Sequence, residues 1–183
     1  MKVNKIRSRL LAAIVLFAAA VTVSSCSGAK KDMLAYQRYP LFAECTLTYG
    51  GADPYPAGEH FSVEISSPGS GRLIFTDGEL SGGTLNVTPE GVGFSDGGGF
   101  EVPLTAEKDA PARAVVAALS IGYEDLIAEI PEKDGEPGKI KADCAGGRAV
   151  VTVENGVPRL IEFDGPSGSF AVSVDRFANA AEG

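Results

Sequence analysis

Short runs in which every second side chain is apolar, separated by glycine-rich turns, constrain the fold of this chain most strongly. In residues 41–49 one face would carry Leu41, Ala43, Cys45, Leu47 and Tyr49. Residues 61–65 repeat the alternation. A period of two is typical of a β-strand with one buried face, and the 23 glycines of the chain provide tight turns between such strands. The sequence therefore predicts a sheet of short antiparallel strands.

The same pattern recurs along most of the chain. It predicts further strands at residues 72–76, 84–88, 91–95 and 100–104, and then at 139–144, 149–154, 158–163 and 169–174. The Asn155-Gly156 pair between two of these runs is a strong hairpin signal, because both residues tolerate positive φ. Residues from Asp175 onward are predicted to be a frayed end.

A central segment has a different period. Asp109 is a plausible N-cap, with Pro111 in the first turn of a helix that continues to Leu119. Residues 123–130 are predicted to add a second helical piece and residues 33–39 a brief one. The sequence thus predicts an α+β fold that is mainly antiparallel β, with helical segments available to cover the sheet.

The N-terminus resembles an export signal that ends in a lipid-attachment site. Four basic residues precede an unbroken apolar run at residues 10–21, which is shorter than the roughly 20 residues needed to cross a bilayer. The Val23-Ser24-Ser25-Cys26 sequence resembles the bacterial lipobox. That resemblance implies cleavage before Cys26 and acylation of Cys26, for example with palmitate, whereas an ordinary secretory peptide and an N-terminal membrane helix are weaker alternatives.

These patterns predict the organisation of the chain and its location. We expect a signal peptide at residues 1–25, a lipidated tether at 26–32, one domain at 33–177 and a tail at 178–183. The protein would be held by the lipid on Cys26 on the extracytoplasmic side of a bacterial envelope membrane.

The charge of the chain excludes several classes of partner. Cleavage before Cys26 would leave 12 of the 16 Lys and Arg residues against 24 Asp and Glu residues, a formal net charge of −12. Nucleic acids and anionic lipid surfaces both require basic patches. We therefore expect no nucleic acid partner, and we expect contact with the membrane to be made through the lipid.

No group of residues in the sequence predicts catalysis. His60 is the only histidine and is best interpreted as a surface residue. Cys45 and Cys144 each fall on the apolar side of a predicted strand, where a disulfide and two free core thiols are equally good interpretations. The acids at Glu124 and Asp125 and in residues 132–136 lack the spacing of a calcium loop. We expect no catalytic residue, metal site or cofactor, and we do not expect an enzyme.

The layout of strands and helix resembles that of LolA/LolB-like bacterial lipoproteins. Two stretches carry the resemblance, namely Gly156-Val157-Pro158-Arg159-Leu160-Ile161 between two strands and the strand end with an Ala-rich helix at residues 103–119. It implies an open half-barrel whose concave side is covered by helices, and a function in carrying lipoproteins or other apolar molecules. Relatives in spore-forming bacteria look more like lipoproteins that support cell-wall enzymes. The rival architecture is an immunoglobulin-like sandwich, which the central helical segment disfavours.

An apolar stripe is the candidate binding surface. Nine side chains are predicted to point to one side of the sheet: Phe61, Val63, Leu73, Phe75, Leu85, Val87, Phe94, Phe100 and Val102. They would form either a core beneath the helix or a groove for an acyl chain or an apolar peptide. The first alternative suits a scaffold that binds another envelope or cell-wall protein, and the second suits a carrier of apolar ligands.

Overall fold

A computed structural model of the protein describes residues 32–50, 57–97, 100–166 and 168–180, without the side chains of residues 49, 50 and 106–109. The predicted signal peptide and Cys26 lie outside these residues. A compact unit begins at Met33. Within the part of the chain that the structure describes, no helix is long and apolar enough to cross a membrane.

The described residues form eleven strands and one α-helix. The strands are β1 (Leu41–Gly50), β2 (His60–Ser67), β3 (Ser70–Asp77), β4 (Thr84–Val87), β5 (Val92–Ser95), β6 (Glu101–Pro103), β7 (Leu126–Ile130), β8 (Gly138–Cys144), β9 (Gly147–Glu154), β10 (Val157–Gly165) and β11 (Gly168–Asn179). The helix α1 (Ala106–Leu119) lies between β6 and β7, and a 3₁₀ turn at Tyr123–Asp125 follows it.

All eleven described strands belong to one antiparallel sheet. Their order is β6-β5-β4-β3-β2-β1-β11-β10-β9-β8-β7. The sheet curves into a half-barrel with α1 as its helix, which confirms the predicted α+β, mainly antiparallel architecture. The first and last strands lie side by side in the middle of the sheet, where Cys45 is paired with Phe61 on β2 and with Val174 on β11.

The core lies between α1 and the inner face of the sheet. On β9, for example, Ala149, Val151 and Val153 are buried while the residues between them are more exposed, as a period of two requires. The helix contributes mostly small side chains to this core: Ala112, Ala114, Val115, Val116, Ala118 and Leu119. It packs against β3–β5 on one side of the half-barrel and β8–β10 on the other.

Three predicted helical features are wrong. Residues 126–130 form strand β7 and not a helix, because their apolar spacing suits either structure and pairing with β8 decides it. The helix α1 begins at Ala106 with Thr105 as its N-cap residue, so Asp109 is not the cap and Pro111 lies inside the helix. Residues 33–36 form a turn.

The predicted frayed end is also wrong for residues 175–179. Strand β11 continues past Val174 to Asn179, and its last residues pair with the first half of β1 through Ala43↔Phe177 and Leu41↔Asn179. The Asn179 side chain donates a hydrogen bond to the Tyr36 carbonyl oxygen at 2.9 Å. Partners at the other end of the chain therefore order this segment, and local sequence does not reveal them.

Candidate functional site

The concave face beneath α1 contains a small apolar cavity. Leu47, Phe61, Phe75 and Val172 line it from the sheet, and Val115 lines it from the helix. Its volume is about 30 Å³, which is room for about two water molecules. A cavity of this volume is too small for an acyl chain.

Six of the nine predicted groove residues belong to the core around this cavity. They are buried beneath or beside α1: Phe61, Val63, Leu73, Phe75, Leu85 and Val87. Phe94 is partly buried and packs against the same cluster. Strands β2 to β5 thus bring seven of the nine side chains together.

Phe100 and Val102 do not join that group. They are 83% and 58% exposed at the β6 edge of the sheet, although Val102 is paired with Phe94 on β5. The helix packs on β3, β4 and β5 and leaves these two side chains uncovered. Phe100 and Val102 therefore lie outside the buried group, although the pairing of Val102 with Phe94 places it on the same face of the sheet.

A buried carboxylate that the sequence analysis missed lines the same cavity. Glu59 is 2% exposed, and it accepts hydrogen bonds from the backbone N–H groups of Glu79 at 2.6 Å and Leu80 at 3.3 Å. It fastens the β3–β4 turn to the start of β2, and positive φ at Gly78 (96°) allows the close approach. No local pattern identifies Glu59, because its partners lie about twenty residues further along the chain.

Cys45 and Cys144 are both free thiols in the structure. Of the two interpretations left open by the sequence, the structure therefore shows free thiols and not a disulfide. Cys45 lies in β1 and Cys144 ends β8, with β11, β10 and β9 between them. Four strand spacings are roughly 19 Å along a sheet, whereas a disulfide requires Cα atoms within about 7 Å.

Neither thiol is activated. Burial, together with Asp175 and Glu44, raises the pKa of Cys45. Burial, with Asp125 and Asp143, raises the pKa of Cys144 to about 11. A nucleophilic cysteine needs the opposite shift.

His60 lies on the outer face of the sheet in a polar cluster. Its Nδ1 is 2.9 Å from Thr46 Oγ1, which donates a hydrogen bond to Asp175 Oδ2 at 2.6 Å, and Ser173 Oγ donates to Asp175 Oδ1 at 3.0 Å. Cys45 points to the inner face, because neighbouring residues of a strand alternate between faces. Cys45 and His60 therefore do not form a Cys–His pair. Among the described residues no cluster of His, Cys, Asp or Glu could hold a metal ion.

Comparison with known proteins finds matches among solved structures and none among family models or curated proteins. No family model matches the sequence, and no curated protein matches it. Among solved structures, the chain is similar to a LolA superfamily protein from Nitrosomonas europaea, with 11% sequence identity and a TM-score of 0.40. The similarity covers 81% of this chain and 78% of that chain. Values this low transfer neither a ligand nor a partner.

Proposed function

We propose that the protein is a non-enzymatic, lipid-anchored protein of the bacterial envelope that binds an apolar ligand between α1 and the sheet. The apolar cavity beneath the middle of α1 carries the proposal. Apart from Glu59, the surrounding side chains are aliphatic and aromatic, so a bound molecule would be held mainly by burial of its hydrocarbon surface.

The small side chains of α1 support entry of such a ligand. A chain longer than a few carbons requires α1 to move away from the sheet where Ala112 and Val115 line the cavity. Exposing those two side chains costs about 2–4 kcal/mol, whereas burying a dozen methylene groups gains about 10 kcal/mol. The balance favours opening when a long alkyl chain is available.

The sequence that resembles an export signal and Cys26 support the lipid anchor. His60 and Cys45 lie on opposite faces of the sheet, which supports a non-enzymatic role. The raised pKa values of both thiols point the same way.

Native mass spectrometry of the exported Cys26→Ser chain, purified without detergent, tests the ligand. Extra mass that denaturation releases as a lipid is the expected result, together with binding of an added dansyl-labelled fatty acid. Ala112→Leu fills the cavity and should abolish both signals. Ala117→Leu makes the same change on a less buried part of the same helix and should leave them intact. A bare chain mass, with no dansyl binding by the wild type, would refute the carrier function.

A second candidate function is favoured by the size of the cavity. At about 30 Å³ the concave face is almost filled, as expected for a scaffold that uses its outer surface to bind another envelope or cell-wall protein. Cross-linking in the intact envelope distinguishes the two functions. A scaffold should give a specific protein adduct that Ala112→Leu does not affect.

A further inference from the structure

Strand β7 ends the sheet with one side unpaired. It is bonded to β8 through Ala128↔Lys141, Glu129↔Ile140 and Ile130↔Lys139, and no other strand of the described residues pairs with it. Backbone N–H and C=O groups on the free side of an edge strand are a template for a further strand. The opposite edge, β6, is three residues long and contains Pro103, which has no N–H group to donate to an added strand.

Exposed apolar side chains accompany this free edge. Ile127 and Ile130 are 49% and 45% exposed. A register shift between Leu126 and Ala128 leaves Ile127 out of the ladder with β8. An added strand would bury these side chains along with the backbone groups, which is how strand addition combines affinity with specificity.

Carboxylates flank β7 at both ends, and one more, Glu129, lies within it. Glu124 and Asp125 precede β7, and residues 132–136 after it carry three acids and one lysine. That lysine, Lys133, is 3.9 Å from Asp134. The other basic residues nearby are Lys139 and Lys141 on β8. They would lie two strand spacings, roughly 10 Å, from an added strand. Because this distance is about one Debye length, salt largely screens their repulsion of a basic segment. The free edge therefore complements a segment that is apolar in the middle and basic at both ends.

The same charges disfavour a second copy of this chain as the occupant. In an antiparallel β7–β7 pair, the acids before one strand would face the acids after the other. In a parallel pair, identical acids would face each other. Both arrangements place like charges side by side, which destabilises strand pairing.

We propose that β7 accepts an extended segment of a partner protein, with a few apolar residues between Lys- or Arg-rich ends, as an additional strand of the sheet. This binding surface is distinct from the cavity beneath α1, so the proposal goes beyond ligand binding and does not depend on it.

A fluorescein-labelled peptide, Lys-Lys-Val-Thr-Val-Thr-Val-Lys-Lys, tests the proposal on the full-length protein in neutral detergent micelles. Fluorescence anisotropy should show binding that weakens as salt is added. Binding should be lost when Glu replaces the lysines of the peptide or when Pro replaces its central Val. Ile130→Lys should weaken binding by about tenfold or more, because it places a charge against the apolar segment. Val102→Lys makes a matched change on the exposed β6 edge and should alter binding by less than about twofold.

Hydrogen exchange separates strand addition from loose electrostatic attraction. The peptide should slow amide exchange in residues 126–130 and leave exchange in residues 101–103 unchanged. Absence of binding, equal losses in both variants, or binding without protection of residues 126–130 would each refute the proposal. A concentration-dependent dimer of the free protein that Ile130→Lys disperses would refute it in favour of a second copy. Dansyl fatty acid binding by Ile130→Lys should equal that of the wild type, so failure of this proposal and failure of ligand binding are distinguishable.

Discussion

Replacing Phe177 by Ala tests whether the end of the chain is a structural strand. Phe177 lies in the part of β11 beyond Val174, where local sequence predicts fraying. In the structure it is paired with Ala43 on β1. Its ring contacts Tyr36 edge to face, with centroids 5.7 Å apart and an interplanar angle of 86°.

The expected loss of stability follows from that environment. A fully buried Phe→Ala change costs about 3–5 kcal/mol, and Phe177 is only partly buried against the core. About half of that range remains, to which the lost aromatic pair adds about 0.5–1 kcal/mol. We therefore expect the free energy of unfolding to fall by about 2–3 kcal/mol, which corresponds to a fall in Tm of about 5–10 °C for a domain of this size.

Urea unfolding of the Cys26→Ser chain, followed by circular dichroism, measures the effect as a shift of the midpoint at constant m-value. Phe100→Ala is the matched control, because Phe100 is 83% exposed and its removal should change stability by less than about 0.5 kcal/mol. If the two variants have the same stability, then residues 175–179 are not held as the structure indicates, and the reasoning from Tyr36 and β1 fails.

Two further predictions concern the thiols and a close contact. At pH 8 Cys144 should react with Ellman's reagent about a hundredfold more slowly than an ordinary thiol, because a pKa of about 11 leaves only about one thiolate per thousand molecules. Its rate should rise about tenfold per pH unit toward pH 11, whereas fast labelling at pH 8 would contradict the burial of Cys144. Gly138→Ala should lower stability by only about 1 kcal/mol in urea unfolding, since a Cβ there would lie 2.5 Å from Met33 Cε, the flexible end of a side chain that can shift. This penalty should shrink by at least about 0.5 kcal/mol in a Met33→Ala background, and strict additivity would show that the contact is not the cause.

Sequence predicts most strands correctly where alternation and turn residues agree. The Asn155-Gly156 hairpin is the clearest case, because both residues have positive φ, 55° and 77°, as the dipeptide predicts. The runs that form β1 and β2 are also recognised from local alternation, since each has one buried face.

The remaining features depend on contacts between distant parts of the chain. The sequence Leu126-Ile127-Ala128-Glu129-Ile130 suits a helix as well as a strand until β8 lies beside it. The exposure of Phe100 and Val102 depends on how far α1 extends across the sheet. The buried position of Glu59 depends on a turn twenty residues away. In each case a segment remote in sequence determines the local structure, so the local sequence pattern does not predict it.

The pairing of β1 with β11 has a consequence for how the molecule is made. Tyr36 and Asn179, 143 positions apart, are in direct contact, so the central seam of the sheet has very high contact order. While the chain emerges N-terminus first from the ribosome, β1 has no β11 beside it. The pairing of β1 with β11 forms only after β11 has been released. Until then, the edge of β1 that later pairs with β11 is exposed to water.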